Sequence, residues 1–501
     1  VYPIDFFLRA AARFRDRIAL DTPHGTWTYE RLRSESQALA AALQALDPTP
    51  QSRVAICAGN TAQHVVALLA VIASGKIWVP LNYRSTKPEI ARILDATEPS
   101  IVVTDSAGDV LVDAGQAVHI RLDAQAGEYA FAGLLQTYAG HTPVRCEPGT
   151  EGTQAIKFTG GTTGLPKGVM QPYRAWNAVI VNQIHAWKLT SEDRYVVAAP
   201  VTHGTSTYLM PVLAQGGTHV FLEASSPATI TEAFRERGGT LSFMPPTLIY
   251  MIMAQPGVSR ADFPKLRNLI YGGAPMPVEK FTQVREFFGP VVGSTYGQTE
   301  SPQIVTAITP QDFEDPANAG SVGSATWFSE FAIMDTEGGI QPPGQAGEIV
   351  VRGDLVMTGY WRLPEKTAET LVDGWLHTGD VGVVDERGYL YIKDRLRDVI
   401  ITGGFNVYPI DVENALAQHP AVYECSVFGI PDEKWGEAVQ AAVQFHPGAS
   451  VDPQELMKFV RDQLGPVHTP KCIHVIDSLP RSSVGKVLKN VVRDSVLKET
   501  V

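Results

Sequence analysis

Strand and helix signals alternate from residue 26 to residue 104, which predicts an α/β protein built on layered, largely parallel sheets. Glycines and prolines from about 317 to 362 then punctuate shorter runs. GEIVVRG at 347–353 and GYLYIKD at 388–394 read as strands of a β-rich subdomain. The charge-dense run DRLRD at 394–398 and the glycine pair in ITGGFN at 401–406 mark a boundary, and a compact α+β pattern lies beyond it. The expected organisation is a large N-terminal domain of layered α/β sheets plus a β-rich subdomain over residues 1–396. A small α+β C-terminal domain follows over residues 397–501.

Each element has a local reason. Thr28 follows Trp27 as a helix N-cap, and Leu32, Leu39, Leu43 and Leu46 recur at helical spacing. A strand at 53–57, a helix at 62–73, a strand at 77–80, a helix at 87–95 and a strand at 100–104 continue the alternation. The longest apolar run, Val65 to Ala73, is too short to cross a bilayer, so no integral membrane segment is expected. Ser74-Gly75 ends it, and Ile77 to Leu81 reads as a buried strand. In the C-terminal part a helix follows Pro409 and ends near His419-Pro420. Strands at 422–430 and 438–445 flank Pro431-Asp432, and a helix at 453–464 aligns Leu456, Phe459, Val460 and Leu464. A strand at 472–476 and a final helix complete the pattern.

Composition narrows the function classes. Hydrophobic residues at 44% and charged residues at 19% of 501 make an ordinary globular balance. A net charge of −12 argues against a nucleic-acid partner, whose footprint is a basic excess. Cys57, Cys146, Cys425 and Cys472 lie far apart with no C-x-x-C pair, which argues against structural zinc. Free thiols, no visible cleavable signal and no lipidation tag in LKETV predict a cytoplasmic protein, although the chain begins at Val1 and not at Met.

The densest chemistry is FTGGTTGLPKG at 158–168, with four glycines, three threonines and a lysine. Glycines let backbone N–H groups approach an anion, and consecutive N–H groups form a concave anion site. Leu165 and Pro166 separate Gly164 from Lys167, so the run is not the G-K-[ST] phosphate loop of kinases and GTPases. Alone it reads either as a polyphosphate cradle or as a surface turn. YGQTE at 296–300 alone reads as a turn with a solvated glutamate, and the aspartate of TGD at 378–380 as a turn residue.

FTGGTTGLPKG, YGQTE, TGD, DRLRDVIITGG at 394–404 and PRSSVGK at 480–486 occur in the order and spacing of the acyl-adenylate-forming synthetases and ligases. The chain resembles that superfamily over essentially its whole length, and within it bacterial fatty- or aryl-acid CoA ligases. The resemblance implies ATP, Mg²⁺ and coenzyme A as cofactors, a small-molecule carboxylic acid as substrate, and room for a homodimer. The carboxylate attacks the α-phosphorus, pyrophosphate leaves, and the acyl-AMP is then taken by a thiol. Catalysis of such a transfer is positioning plus charge neutralisation.

By this resemblance Thr159, Gly160, Gly161, Thr162, Thr163, Gly164 and Lys167 cradle the β- and γ-phosphates. Gly160 stands where the family usually has serine. Tyr296 stacks on adenine, Thr299 meets the α-phosphate and Glu300 holds Mg²⁺. Gly272, Gly273 and Ala274 lie against the adenine and the acyl group, while Asp380 and Arg395 hold the nucleotide. Lys486 bridges the carboxylate and the α-phosphate in adenylation. The C-terminal domain is mobile and rotates between the half-reactions about a hinge aligned with Arg397, where the family usually has Asp or Lys. Gly403 and Gly404 line the pantetheine tunnel. His203 in PVTHGTS sits at the acyl pocket and is assigned no role as a base; Gly273 and Met276 form a roomy wall, and Thr202, Thr205, Ser206 and Thr207 offer polar contacts.

Medium-chain fatty or aryl acids rank first, because no arginine stands out as a clamp for a second carboxylate. Gly204 follows His203 where amino-acid-activating relatives usually place aspartate. The main alternative is an adenylation enzyme that loads an aryl or other acid onto a carrier protein. A luciferase-like oxygenase and a catalytically dead nucleotide-binding regulator rank lower.

Overall fold

The computed structural model describes residues 1–124, 126–159, 166–481 and 487–499. It is a mixed α/β structure with a large N-terminal domain of sheets and a smaller C-terminal one. A nine-stranded sheet runs in the order 324–325, 301–308, 292–298, 268–271, 241–244, 194–196, 218–220, 18–22, 25–28. A seven-stranded sheet runs 359–360, 167–172, 153–159, 77–81, 53–57, 101–104, 118–121. Both are parallel at the centre; the nine-stranded sheet turns antiparallel at both edges, and the seven-stranded sheet only on the side of 167–172 and 359–360, its other edge strand 118–121 pairing parallel. Crossover helices between parallel strands then cover the sheet faces. Helices Tyr29–Leu46, Ala62–Ala73, Tyr173–Trp187 and Gly204–Ala214 share the largest apolar core with residues of both sheets.

Local signals place the early elements closely. Thr28 caps its helix by accepting from Arg31 N–H at 3.2 Å. Strands Arg53–Cys57, Ile77–Leu81 and Ile101–Thr104 and helices Ala62–Ala73 and Lys87–Thr97 fall within two residues of expectation. The β-rich unit is a five-stranded antiparallel sheet containing Ala346–Gly353, Trp375–Val384 and Leu390–Arg395.

The C-terminal part is a second five-stranded sheet with helices Pro409–Ala417, Pro453–Leu464 and Lys489–Glu499. One expectation fails here. Pro431-Asp432 does not end its strand, which runs Val422–Asp432 and pairs Pro431 with Glu437. That strand lies at the sheet edge, where a missing N–H breaks no ladder on the open side. Among the described residues, no apolar cluster mixes side chains from before Ile392 with side chains from after Ile400. Polar ties do cross that gap. Lys489 Nζ lies 3.2 Å from Asp394 Oδ2 and 3.1 Å from Glu413 Oε1, and Arg481 Nη1 donates to Thr247 Oγ1 at 3.1 Å.

Candidate active site

Strands Val292–Gln298 and Ser301–Ile308 form a hairpin whose two-residue tip is Thr299-Glu300. A bulge falls between Tyr296 and Gln298. Gly297 is required there, because a Cβ would stand 2.7 Å from Gln303 N. The bulge and tip aim Tyr296, Gln298, Thr299 and Glu300 from one short segment.

Two polar constellations meet this segment. In the first, Tyr296 OH donates to Asp380 Oδ2 at 2.7 Å and Gln298 Nε2 donates to the same oxygen at 3.3 Å. Arg395 Nε sits 2.7 Å from Asp380 Oδ1, because the antiparallel register sets Arg395 opposite Asp380. Burial and the Asp380 charge hold the Tyr296 phenol well above its usual range, so it stays a donor. Glu348 braces the irregular stretch of strand Trp375–Val384 before Asp380: Oε1 accepts from Gly379 N–H at 2.9 Å and Oε2 meets His377 Nδ1 at 2.7 Å. Gly379 has φ +68°, a conformation glycine adopts without strain.

In the second, Lys167 Nζ donates to Tyr360 OH at 3.3 Å and lies 4.4 Å from the centre of that ring. Tyr360 OH donates in turn to Glu300 Oε1 at 2.9 Å. The relay exists because Gly359–Tyr360 pairs with Lys167–Pro172 at the sheet edge. Thr159 pairs with Lys167 in the neighbouring hairpin. Gly160, Gly161, Thr162, Thr163 and Gly164 lie outside the described residues, as does Lys486. Thr299 is fixed through its carbonyl, which accepts from Gln171 Nε2 at 2.9 Å.

A third group surrounds Phe243. A Cβ on Gly272 would fall 3.0 Å from that ring and one on Gly204 would fall 2.8 Å from it, so both segments pack against a single side chain. Gly273 has φ +78°, and Ala274 follows it. His203 keeps an exposed surface although protein crowds it; that desolvation, with the Lys157 cation, lowers its imidazole to about 4. His203 is therefore neutral at pH 7, and its low proton affinity suits a lining residue better than a base for a thiol of pKa near 8.5.

Other residues stand apart from these groups. Met276 is buried in a separate core cluster with Tyr271 and Phe281. Gly403 and Gly404, with φ +58° and +84°, form the two-residue turn of the hairpin joining Ile400–Thr402 to Phe405–Val407. Arg397 is exposed in the short turn Leu396–Asp398, 3.6 Å from Asp398. Sequence reasoning missed Gln298, Glu348, Tyr360 and Lys157. Lys157 alone left a signal, a lysine inside the apolar strand run QAIKF.

Among the described residues no three His, Cys, Asp or Glu side chains cluster as a metal cage. One buried carboxylate, Glu300, linked through the Tyr360 hydroxyl to the Lys167 ammonium, fits Mg²⁺, which keeps waters and shares phosphate oxygens. No helix among the described residues is long and apolar enough to cross a membrane.

The family described as AMP-binding enzyme matches residues 7–361, and the AMP-binding enzyme C-terminal domain matches residues 411–486. The "Feruloyl-CoA synthase" of an Amycolatopsis species is 35% identical over 495 residues, covering 95% of this chain and 97% of that protein. The "Fatty acid--[acyl-carrier-protein] ligase ScoC" of Streptomyces coeruleorubidus is 33% identical over 478 residues, covering 94% and 91%. The solved amide bond synthetase McbA from Marinactinospora thermotolerans superposes with a TM-score of 0.90 at 32% identity, covering 98% and 99%.

Proposed function

Because this chain belongs to the AMP-binding enzyme family, we propose that it joins a fatty or aryl acid to coenzyme A through an acyl-AMP. The enzyme is an AMP-forming acid–thiol ligase that uses ATP. The observation that carries the proposal is the YGQTE hairpin, whose one segment reaches both Asp380–Arg395 and the Tyr360–Lys167 relay.

Each group then has a task. Asp380, held by Tyr296, Gln298 and Arg395, accepts from the ribose hydroxyls. Lys167, with Thr159 and the glycines and threonines of 160–164, holds the phosphates that leave as pyrophosphate. Glu300 would hold Mg²⁺, which when bound neutralises phosphate charge. Thr299 stands at the α-phosphate. Gly272, Gly273, Ala274 and His203 border the adenine and the acyl group. Lys486 bridges the carboxylate and α-phosphate as charge grows there.

The boundary between residues 1–396 and 397–501 is taken as a hinge at Arg397, and the separation of apolar cores on its two sides supports that reading. Gly403 and Gly404 then border the channel for the thiol. Arg397→Pro should leave acid-dependent pyrophosphate release near wild type and slow thioester formation from supplied acyl-AMP at least about tenfold. Rapid-quench measurement of each half-reaction checks this; equal slowing of both would remove Arg397 as the pivot.

A carrier protein in place of coenzyme A is the second reading, favoured by the ScoC relative. The deciding experiment is pyrophosphate release against fatty, aryl and amino acids, with coenzyme A, an acyl carrier protein or an amine offered in turn. Mass spectrometry of the product should find a coenzyme A thioester. A product formed only with the carrier or the amine would reject the coenzyme A reading.

A further inference from the structure

Strand Thr153–Thr159 alternates, so Lys157 shares a face with Ala155 and Thr159 and enters the layer beneath helices Tyr173–Trp187 and Gly204–Ala214. It is 9% exposed. Its ammonium donates to Ser206 Oγ at 2.8 Å and lies 5.0 Å from the centre of the Trp78 ring and 5.4 Å from that of Trp176. Among the described residues no carboxylate pairs with it.

Two other lysines, one buried and one partly buried, show how this fold satisfies a cation that it withdraws from water. Lys76 gives hydrogen bonds to Asp47 O, Thr49 O and Ser52 Oγ and lies 3.6 Å from Asp47 Oδ2. Lys489 sits between two carboxylates, Asp394 and Glu413. Lys157 has three N–H donors, one oxygen acceptor and two aromatic faces. A buried ammonium without a counter-charge is costly, and burial here lowers it to about 7. Ser206 lies one helical turn from His203, and the Lys157 cation acts on the His203 imidazole, so the two side chains share one environment. The chemistry assigned above leaves Lys157 without a task.

We propose that Lys157 is a specificity-determining residue of the acyl site, and that it receives an oxygen acceptor, a phenolic oxygen or a second carboxylate, at the far end of the acid. This rests on the reading that His203 borders the acyl group. An oxygen ligand supplies the acceptor that the protein withholds. The ammonium is already desolvated before the acid arrives, so the contact is preorganised. Trp78 and Trp176, edge to face at 5.9 Å and themselves buried, hold the cation between aromatic groups that offer it no oxygen.

The test compares matched acids by kcat/KM for pyrophosphate release: 3-phenylpropanoate with its 4-hydroxy derivative, and hexanoate with adipate. Wild type should favour the oxygenated member of one pair by about 10- to 100-fold, the worth of a hydrogen bond to a charged group. The favoured pair distinguishes a phenol from a carboxylate. Lys157→Met should bring that ratio close to one while KM for ATP stays within about twofold. Preference for the plain member in both pairs, or an unchanged ratio in Lys157→Met, overturns the proposal. If Lys157→Met loses its thermal unfolding transition, the wild-type ratios alone decide. Release with none of a broad panel of acids would instead defeat the acid-activating reading, and the proposal with it.

Discussion

Replacing Lys486 with alanine should slow acyl-adenylate formation by about 10²- to 10³-fold, the range for loss of one preorganised donor at a developing charge. Negative charge accumulates on the α-phosphate as the carboxylate approaches it, and a lysine between the two offsets charge on both. The second half-reaction breaks the acyl–phosphate bond with a thiol and does not need that bridge. Lys486→Ala should therefore convert supplied acyl-AMP to thioester at a rate near wild type. Lys486 lies outside the described residues. Arg481 and Val487 form an antiparallel bridge, and Arg481 reaches Thr247 of the N-terminal domain. ATP–pyrophosphate exchange measures the first step and single-turnover thioester formation the second. Equal loss in both would assign Lys486 a structural role.

Asp380→Asn should raise KM for ATP by about 10- to 100-fold and leave KM for the acid within about twofold, because a charge-assisted hydrogen bond is lost on the nucleotide side only. The amide keeps the shape and one acceptor, so Tyr296 and Gln298 retain a partner. It cannot neutralise Arg395, whose guanidinium lies 2.7 Å from the carboxylate. The half-exposed arginine limits the structural cost to ~1–2 kcal/mol in thermal or chemical unfolding. Nucleotide binding by calorimetry separates the two effects. An ATP affinity equal to wild type in a stably folded Asp380→Asn would remove Asp380 from the nucleotide site.

Much of the fold was readable in the sequence because its signals are local. The Thr28 cap, the apolar run Val65 to Ala73 and the helix at 453–464 each depend on a few neighbouring residues. Pro431 misled because proline reads as a stop unless the strand is known to lie at an edge. In the site, the motifs were readable but their joins were not. Tyr360 belongs to a two-residue strand with no pattern of its own, yet its hydroxyl links Lys167 to Glu300. Nothing in the sequence marks Gln298, and only the bulge at Gly297 turns it onto Asp380.

The sequence alone determined the α/β class, the order of the chemical motifs and, through them, the family, because glycine-rich turns, caps and periodic apolar runs are properties of short segments. Tertiary structure alone decided which charges are paired. Strand register placed Arg395 opposite Asp380, and helix packing closed Asp394 and Glu413 around Lys489. The same packing left Lys157 between two indoles and a serine. A charge's partner is set by through-space distance and desolvation: Arg395 and Asp380 stand 15 residues apart, and Lys489 and Asp394 stand 95 apart.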